Sequence, residues 1–154
     1  MSPTASEMET APSEDALALS RRVHEASEGL ILPAWQSEAN MLALLRCLYE
    51  AGREDLAFAR VLEGHIDAVQ IVLTRGDAVQ AGALNKALSQ GAVLGVWNAD
   101  LKDAPLRVQN GQLMGGKAFA SGAGLLSHAL VTLNAGDRAN VQLLLLDLTA
   151  TPPA

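Results

Sequence analysis

The stretch Ser89-Gln90-Gly91-Ala92-Val93-Leu94-Gly95-Val96-Trp97 decides the fold, because the patterning of the chain changes inside it. Before Gly91 the apolar residues recur at helical spacing, and after it they fall in short β-prone runs separated by turn residues. Segments of the first kind all precede segments of the second, so the chain reads as α+β with antiparallel strands and not as alternating βαβ units. Three regions follow: a disordered tail over 1–14, a helical unit over 15–90, and a β-unit over 91–154.

Working back from Gly91, Ala78 to Ser89 is a short helix, and Arg75-Gly76 closes a longer one before it. That longer helix spans Arg53 to Thr74, with Phe58, Leu62, Ile66, Val69 and Leu73 in one stripe. Gly64 lies within it, at a cost of about 1 kcal/mol against Ala, which points to a close packing neighbour. Ser37 is an N-cap for the next helix back, where Met41, Leu44, Leu45, Leu48 and Tyr49 recur up to a stop at Gly52. Gly29 to Ser37, with Pro33 and Trp35, is a connector, and Asp15 to Glu28 carries the first amphipathic helix.

Working forward, Val93, Val96 and Trp97 suit a strand, and Leu106–Gln109 and Gln112–Ser121 flank Asn110-Gly111, a strong hairpin signal. His128–Leu133 and Val141–Leu148 are two further strands, joined by a polar turn at Asn134-Ala135-Gly136-Asp137.

Composition removes several classes of function. The net charge is −6 and the eleven Lys and Arg are scattered, which argues against a nucleic-acid surface. Cys47, the single cysteine, lies among leucines and reads as a small buried hydrophobe. The acidic Met1–Ala11 segment is no secretory signal, and the apolar run Val141–Leu148 is far too short to span a bilayer, so the expectation is a soluble cytoplasmic protein. The start itself is open between Met1 and Met8. Apolar residues make up 49% of the chain, a surplus that suggests surface meant for a partner.

Candidate chemistry is sparse. Gly122-Ala123-Gly124-Leu125-Leu126-Ser127 has glycines spaced like a dinucleotide fingerprint, but a strand-like run follows where a helix is needed, and turns with positive φ explain the glycines. His24, His65 and His128 fall in three elements without ligand spacing, so no metal site is expected. No nucleophile elbow, phosphate loop or HExxH pattern occurs, and Arg75-Gly76-Asp77 is a helix stop.

Two runs carry a resemblance. Gly95-Val96-Trp97-Asn98-Ala99-Asp100, and Gly115-Gly116-Lys117-Ala118-Phe119-Ala120-Ser121-Gly122 one hairpin later, resemble the flavin-facing segments of acyl-CoA dehydrogenases. From about Gly29 onward, Leu32-Pro33, the helix around Arg53–His65, Arg75 to Gln80, the Trp97 strand, the Asn110-Gly111 hairpin and Lys117–Ser121 follow that family's order. The resemblance implies a helical bundle leading into an incomplete, partly barrel-like antiparallel β-domain, and FAD as cofactor. It implies that Trp97, Asn98, Ala99, Asp100, Phe119, Ala120 and Ser121 line the flavin ring. Phe119 would pack on the isoalloxazine, and Ser121 would offer its hydroxyl or backbone N–H to the N5 edge.

The sequence departs from the family in ways that mark a divergent, bacterial-type branch. Asn98-Ala99-Asp100 stands where a Thr-Glu-Pro-like turn is usual, which loses a flavin-bonding hydroxyl, and Ala120 replaces a bulkier Ile. The implied reaction is α,β-dehydrogenation of an acyl-CoA thioester. Its carboxylate base belongs to a C-terminal helical domain, so no catalytic residue is assigned here and the implied partner is that helical half, or further copies of the chain if it is intact. The expectation is therefore the N-terminal part of a flavin oxidoreductase, inactive alone. A non-catalytic remnant or small α+β interaction module is the alternative.

Overall fold

The computed structural model describes residues 13–28, 37–134 and 139–149. Four helices come first: α1 (Glu14–Ser27), α2 (Glu38–Glu54), α3 (Leu56–Arg75) and α4 (Ala78–Ser89). Five strands follow: β1 (Leu94–Trp97), β2 (Arg107–Gln109), β3 (Gln112–Met114), β4 (His128–Leu133) and β5 (Gln142–Asp147). The chain is thus α+β, in the order read from its patterning. Positions 1–12 of the expected 1–14 tail, the connector with Leu32-Pro33 and Trp35, the turn residues 135–137 and positions 150–154 lie outside the described residues, while Ser13 and Glu14, also read as tail, are the N-cap and first residue of α1.

Every helix start is written in a short polar side chain. Ser13, Ser37, Asp55 and Asp77 accept backbone N–H groups from Ala16, Asn40, Phe58 and Gln80, satisfying donors that a first turn leaves unpaired. Asp55 also ends α2 with its own N–H on the Ala51 carbonyl, so α2 runs two residues past Gly52 and one residue separates the helices. At the decisive boundary, Gly91 takes φ +82°, with Gly91 N–H on Leu88 O (2.9 Å) and Ala92 N–H on Ala87 O (3.0 Å). This paired closure ends α4 and turns the chain into β1.

Helix α3 is the centre of the molecule. Phe58, Leu62 and Ile66 pack with Val23 of α1, Leu44 of α2 and Val93. Farther along, Ala68, Val69 and Val72 pack with Leu84 of α4, Leu94 of β1 and Leu130 of β4. At Gly64 helix α3 lies against β1, but a Cβ there would sit 3.8 Å from Gly95 Cα and from Val96 N, ordinary van der Waals contact, so the packing does not require the glycine. The other face of the sheet has its own core, where Ala129, Val131 and Leu133 meet Leu106. A β4 covered on both faces accounts for its nearly unbroken apolar run.

The sheet differs from expectation in direction. Its order is β1-β4-β5; β5 pairs antiparallel with β4, but β1 pairs parallel with β4 in the register Leu94↔His128 to Trp97↔Val131. The sheet is mixed, not antiparallel, because the connection over 98–127 leaves the C-terminal end of β1 and carries the chain back beside Leu94, the first residue of β1, before β4 begins. That connection contains the β2–β3 hairpin as a separate two-stranded ribbon. Asn110 (φ +53°) and Gly111 (φ +77°) form its two-residue turn, the conformation that matches strand twist. The second correction concerns Gln112–Ser121: only Gln112–Met114 is strand, and the rest is bridges and turns. No closed barrel forms among the described residues. No helix among them is long and apolar enough to cross a membrane.

Candidate functional site

The two runs singled out in the sequence meet at the end of β1. Trp97 Nε1–H donates to the Ser121 carbonyl (3.1 Å), and Ala118 N–H donates to the Ala99 carbonyl (2.8 Å). Asp100 pairs with Lys117 as an isolated antiparallel bridge. All seven sequence-predicted residues therefore lie in one patch of surface, although about twenty residues of chain intervene.

Lys117 lies beneath this patch. Its side chain is 4% exposed, and its ammonium donates to Asp100 Oδ1 (2.5 Å), Thr132 Oγ1 (2.9 Å) and the Asn98 carbonyl (3.3 Å). Three donors thus meet three acceptors, as a buried charge requires. Thr132 also donates to the Asn98 carbonyl (3.1 Å), and Leu106 N–H reaches Asp100 Oδ1 (3.4 Å). The hydrogen bond from Lys117 holds the Asp100 carboxyl below its ordinary range, with the Leu106 N–H adding to it. Asp100 is consequently a fixed counter-ion and a poor proton acceptor.

Phe119 is the unusual residue. It is 91% exposed and adopts φ +53°, a left-handed conformation that costs a bulky residue about 1 kcal/mol or more. The turn is closed by Ser121 N–H on the Phe119 carbonyl (2.9 Å) and Ala123 N–H on the Ala120 carbonyl (3.1 Å). Gly122 (φ +74°) and Gly124 (φ +85°) continue it, so the glycine run is a turn, as read from sequence. Two expectations are corrected here. Phe119 projects from a turn and not from a strand, and the Ser121 backbone N–H is consumed inside that turn, which leaves its hydroxyl as the group able to meet a ligand.

Beside the patch a cleft of about 10 Å³ opens between α3 and β1, lined by Arg60, Gly64, Gly95, Trp97, Ser121 and Leu126. That is room for about one water, so this cleft is not itself an enclosed flavin pocket. What the patch presents is an outward aromatic face, Phe119, with the hydroxyl of Ser121 two residues away.

Sequence reasoning missed Thr132 and the burial of Lys117. The signal for Thr132 was a hydroxyl inside the apolar run His128–Leu133. It also missed that His24 and His65 meet, with ring centroids 5.6 Å apart, edge to face. His65 Nδ1 accepts the Leu94 N–H (3.2 Å), which puts its proton on Nε2 and leaves no lone pair there for a metal. No metal-holding group of three or more His, Cys, Asp or Glu occurs among the described residues. Cys47 is half-buried, its thiol directed at the Ala26 carbonyl (3.5 Å) and pushed up by burial.

No family model, characterised protein or solved structure matches the chain.

Proposed function

We propose that this chain supplies one wall of a flavin site in an acyl-CoA dehydrogenase-like oxidoreductase acting on an acyl thioester, completed by a further helical segment. The observation that carries this reading is Phe119, an aromatic held outward in a left-handed conformation beside Trp97–Asp100. A solvated Phe at unfavourable φ has no packing benefit of its own, and such strain collects where a ligand is met.

FAD, when bound, would supply the acceptor for two electrons. The Phe119 ring would lie against its planar face, and the Ser121 hydroxyl would donate to its edge. Trp97 supports the Ser121 carbonyl from beneath, and Asp100 stays with Lys117. The proton-accepting carboxylate must come from the completing segment, because the one carboxylate in the patch is already committed.

The test is equilibrium dialysis against FAD, with the chain alone and with a separately produced C-terminal helical half of an acyl-CoA dehydrogenase. Weak or no binding alone and clear binding in the mixture is the expected result. The reading fails if the mixture neither binds FAD nor raises the melting temperature of the chain. In a mixture that binds, Ser121→Ala should slow flavin reduction more than it lowers stability; unchanged reduction would remove Ser121 from the site.

A second reading, an interaction module without chemistry, is favoured by the apolar residues the helical unit leaves outward, among them Tyr49, Leu56 and Val79. It predicts no flavin binding in either arm.

A further inference from the structure

The Lys117 network does more than satisfy a buried charge. It joins three separate pieces of chain: the exit of β1 through Asn98 and Asp100, the end of β4 through Thr132, and the run that carries Phe119. From Lys117 the backbone goes directly into Ala118, whose N–H is fixed on the Ala99 carbonyl, and then into Phe119 at φ +53°. Among the described residues little packs on Phe119, whose side chain is almost wholly exposed. The position of its ring is therefore set by the backbone on either side. On one side that backbone is anchored through Lys117, and on the other through the Ser121 carbonyl on the Trp97 indole.

We propose that Lys117 is a positioning residue, whose buried ammonium pins the 118–121 turn to the ends of β1 and β4 and so sets where Phe119 and Ser121 meet a ligand. The ligand named here, flavin, rests on the function proposed above; the pinning of the turn does not. Lys117 acts through geometry and not through field. Its charge is matched by Asp100 and covered from solvent, so little of it reaches a ligand on the surface. Arginine would not substitute, because a planar fork cannot meet three acceptors converging on one point.

The experiment uses the full chain, with the helical half present for flavin titrations. It compares wild type, Lys117→Met and the double variant Lys117→Met/Asp100→Asn. The single variant leaves a carboxylate without its counter-ion. The double variant removes that charge but keeps an acceptor for the Leu106 N–H. Two readouts are taken: hydrogen exchange at the Ala118 amide against amides of α3 and β4, and FAD affinity by flavin fluorescence.

The expected result has three parts. Ala118 loses protection in both variants while α3 and β4 keep theirs. The double variant recovers most of the melting temperature lost by the single one. FAD affinity falls about ten-fold or more in both, because a displaced contact group is not restored by removing a stray charge. Recovery of FAD affinity together with melting temperature in the double variant would mean that Lys117 only balances a charge, and would overturn the proposal. So would unchanged Ala118 protection in both variants. If wild type binds no flavin while Ala118 still loses protection, the pin stands and the functional reading falls.

Discussion

Burial fixes the ionisation of His65, and through it the acid limit of the helical unit. Its ring is fully buried, its Nδ1 accepts the Leu94 N–H, and its Nε2 has no hydrogen-bond partner among the described residues. Burial first, and His24 facing it from α1 second, push its pKa down to about 4. The unfolded chain would titrate this group near pH 6.5, so between about pH 6.5 and 4 the unfolded state binds the extra proton. Stability is then complete above that window and falls on acidification through it, by up to about 1.4 kcal/mol per pH unit. Asp55 and Asp100 act lower: their carboxyls are held below the ordinary value, the first by the Phe58 N–H and then Arg22, the second by Lys117. Their contribution is present above about pH 4 and is lost only below it. Urea midpoints measured from pH 7.5 to 5 should therefore decline below about 6.5 in wild type, and His65→Gln should flatten that decline. A wild-type midpoint that does not move across this range would sink the assignment. None of this was readable from sequence. His24 and His65 are forty-one positions apart, and only the packing of α1 on α3 brings the rings together.

At the scale of elements, α4 shows how local signals define a helix with little help from the core. Leu84 is its only fully buried residue. Its start is a reciprocal capping box, with Gln80 N–H on Asp77 Oδ1 (2.8 Å) and Asp77 N–H on Gln80 Oε1 (2.9 Å). Two substitutions should move stability in opposite directions. Asp77→Ala removes the cap at a cost of about 1 kcal/mol. Gly82→Ala should gain about 0.5–1 kcal/mol, because a solvent-facing helical glycine carries an entropic cost and an added Cβ there meets nothing within 4 Å. Equal effects of the two on the denaturation midpoint, or a loss on Gly82→Ala, would contradict the view that α4 is held by its ends. The same local signals explain why helices, caps and the Asn110-Gly111 hairpin were legible. Strand direction was not. A run such as Val93-Leu94-Gly95-Val96 reads the same whether its neighbour runs parallel or antiparallel, and the answer lay in the path of the thirty residues between β1 and β4. The end of β3 was misplaced for a related reason: Lys117–Ser121 has strand-like composition, but its residues are taken up by Asp100, Thr132 and a turn.

At the scale of the whole molecule, apolar surface left outward is the dominant feature. Along α2, Met41, Leu42, Leu45 and Tyr49 face solvent on one side, while Leu44, Cys47 and Leu48 pack inward on the other. Leu56 is 76% exposed and Val79 80%. The α2 residues, at helical spacing on one side of that helix, form an apolar stripe, and exposed apolar surface of this kind marks a surface that finds a partner. The chain alone should therefore associate as concentration rises, with the α2 stripe as the first contact. Sedimentation velocity from about 5 to 200 µM should show a growing weight-average mass, since a patch of a few residues without a matched partner binds only in the micromolar range or weaker. Leu45→Glu/Tyr49→Lys should shift that rise to higher concentration while the melting temperature stays close to wild type, because neither side chain contributes to the buried core. A monomer at every concentration, with a cooperative melt, would show that four helices and a three-stranded mixed sheet suffice to bury what needs burying. The outward stripe would then need no cover, and the proposal of a completing helical segment would have to rest on Phe119 alone. Association that the double substitution leaves unchanged would move the contact away from α2, toward the exposed apolar residues of the β2–β3 hairpin, Val108 and Leu113.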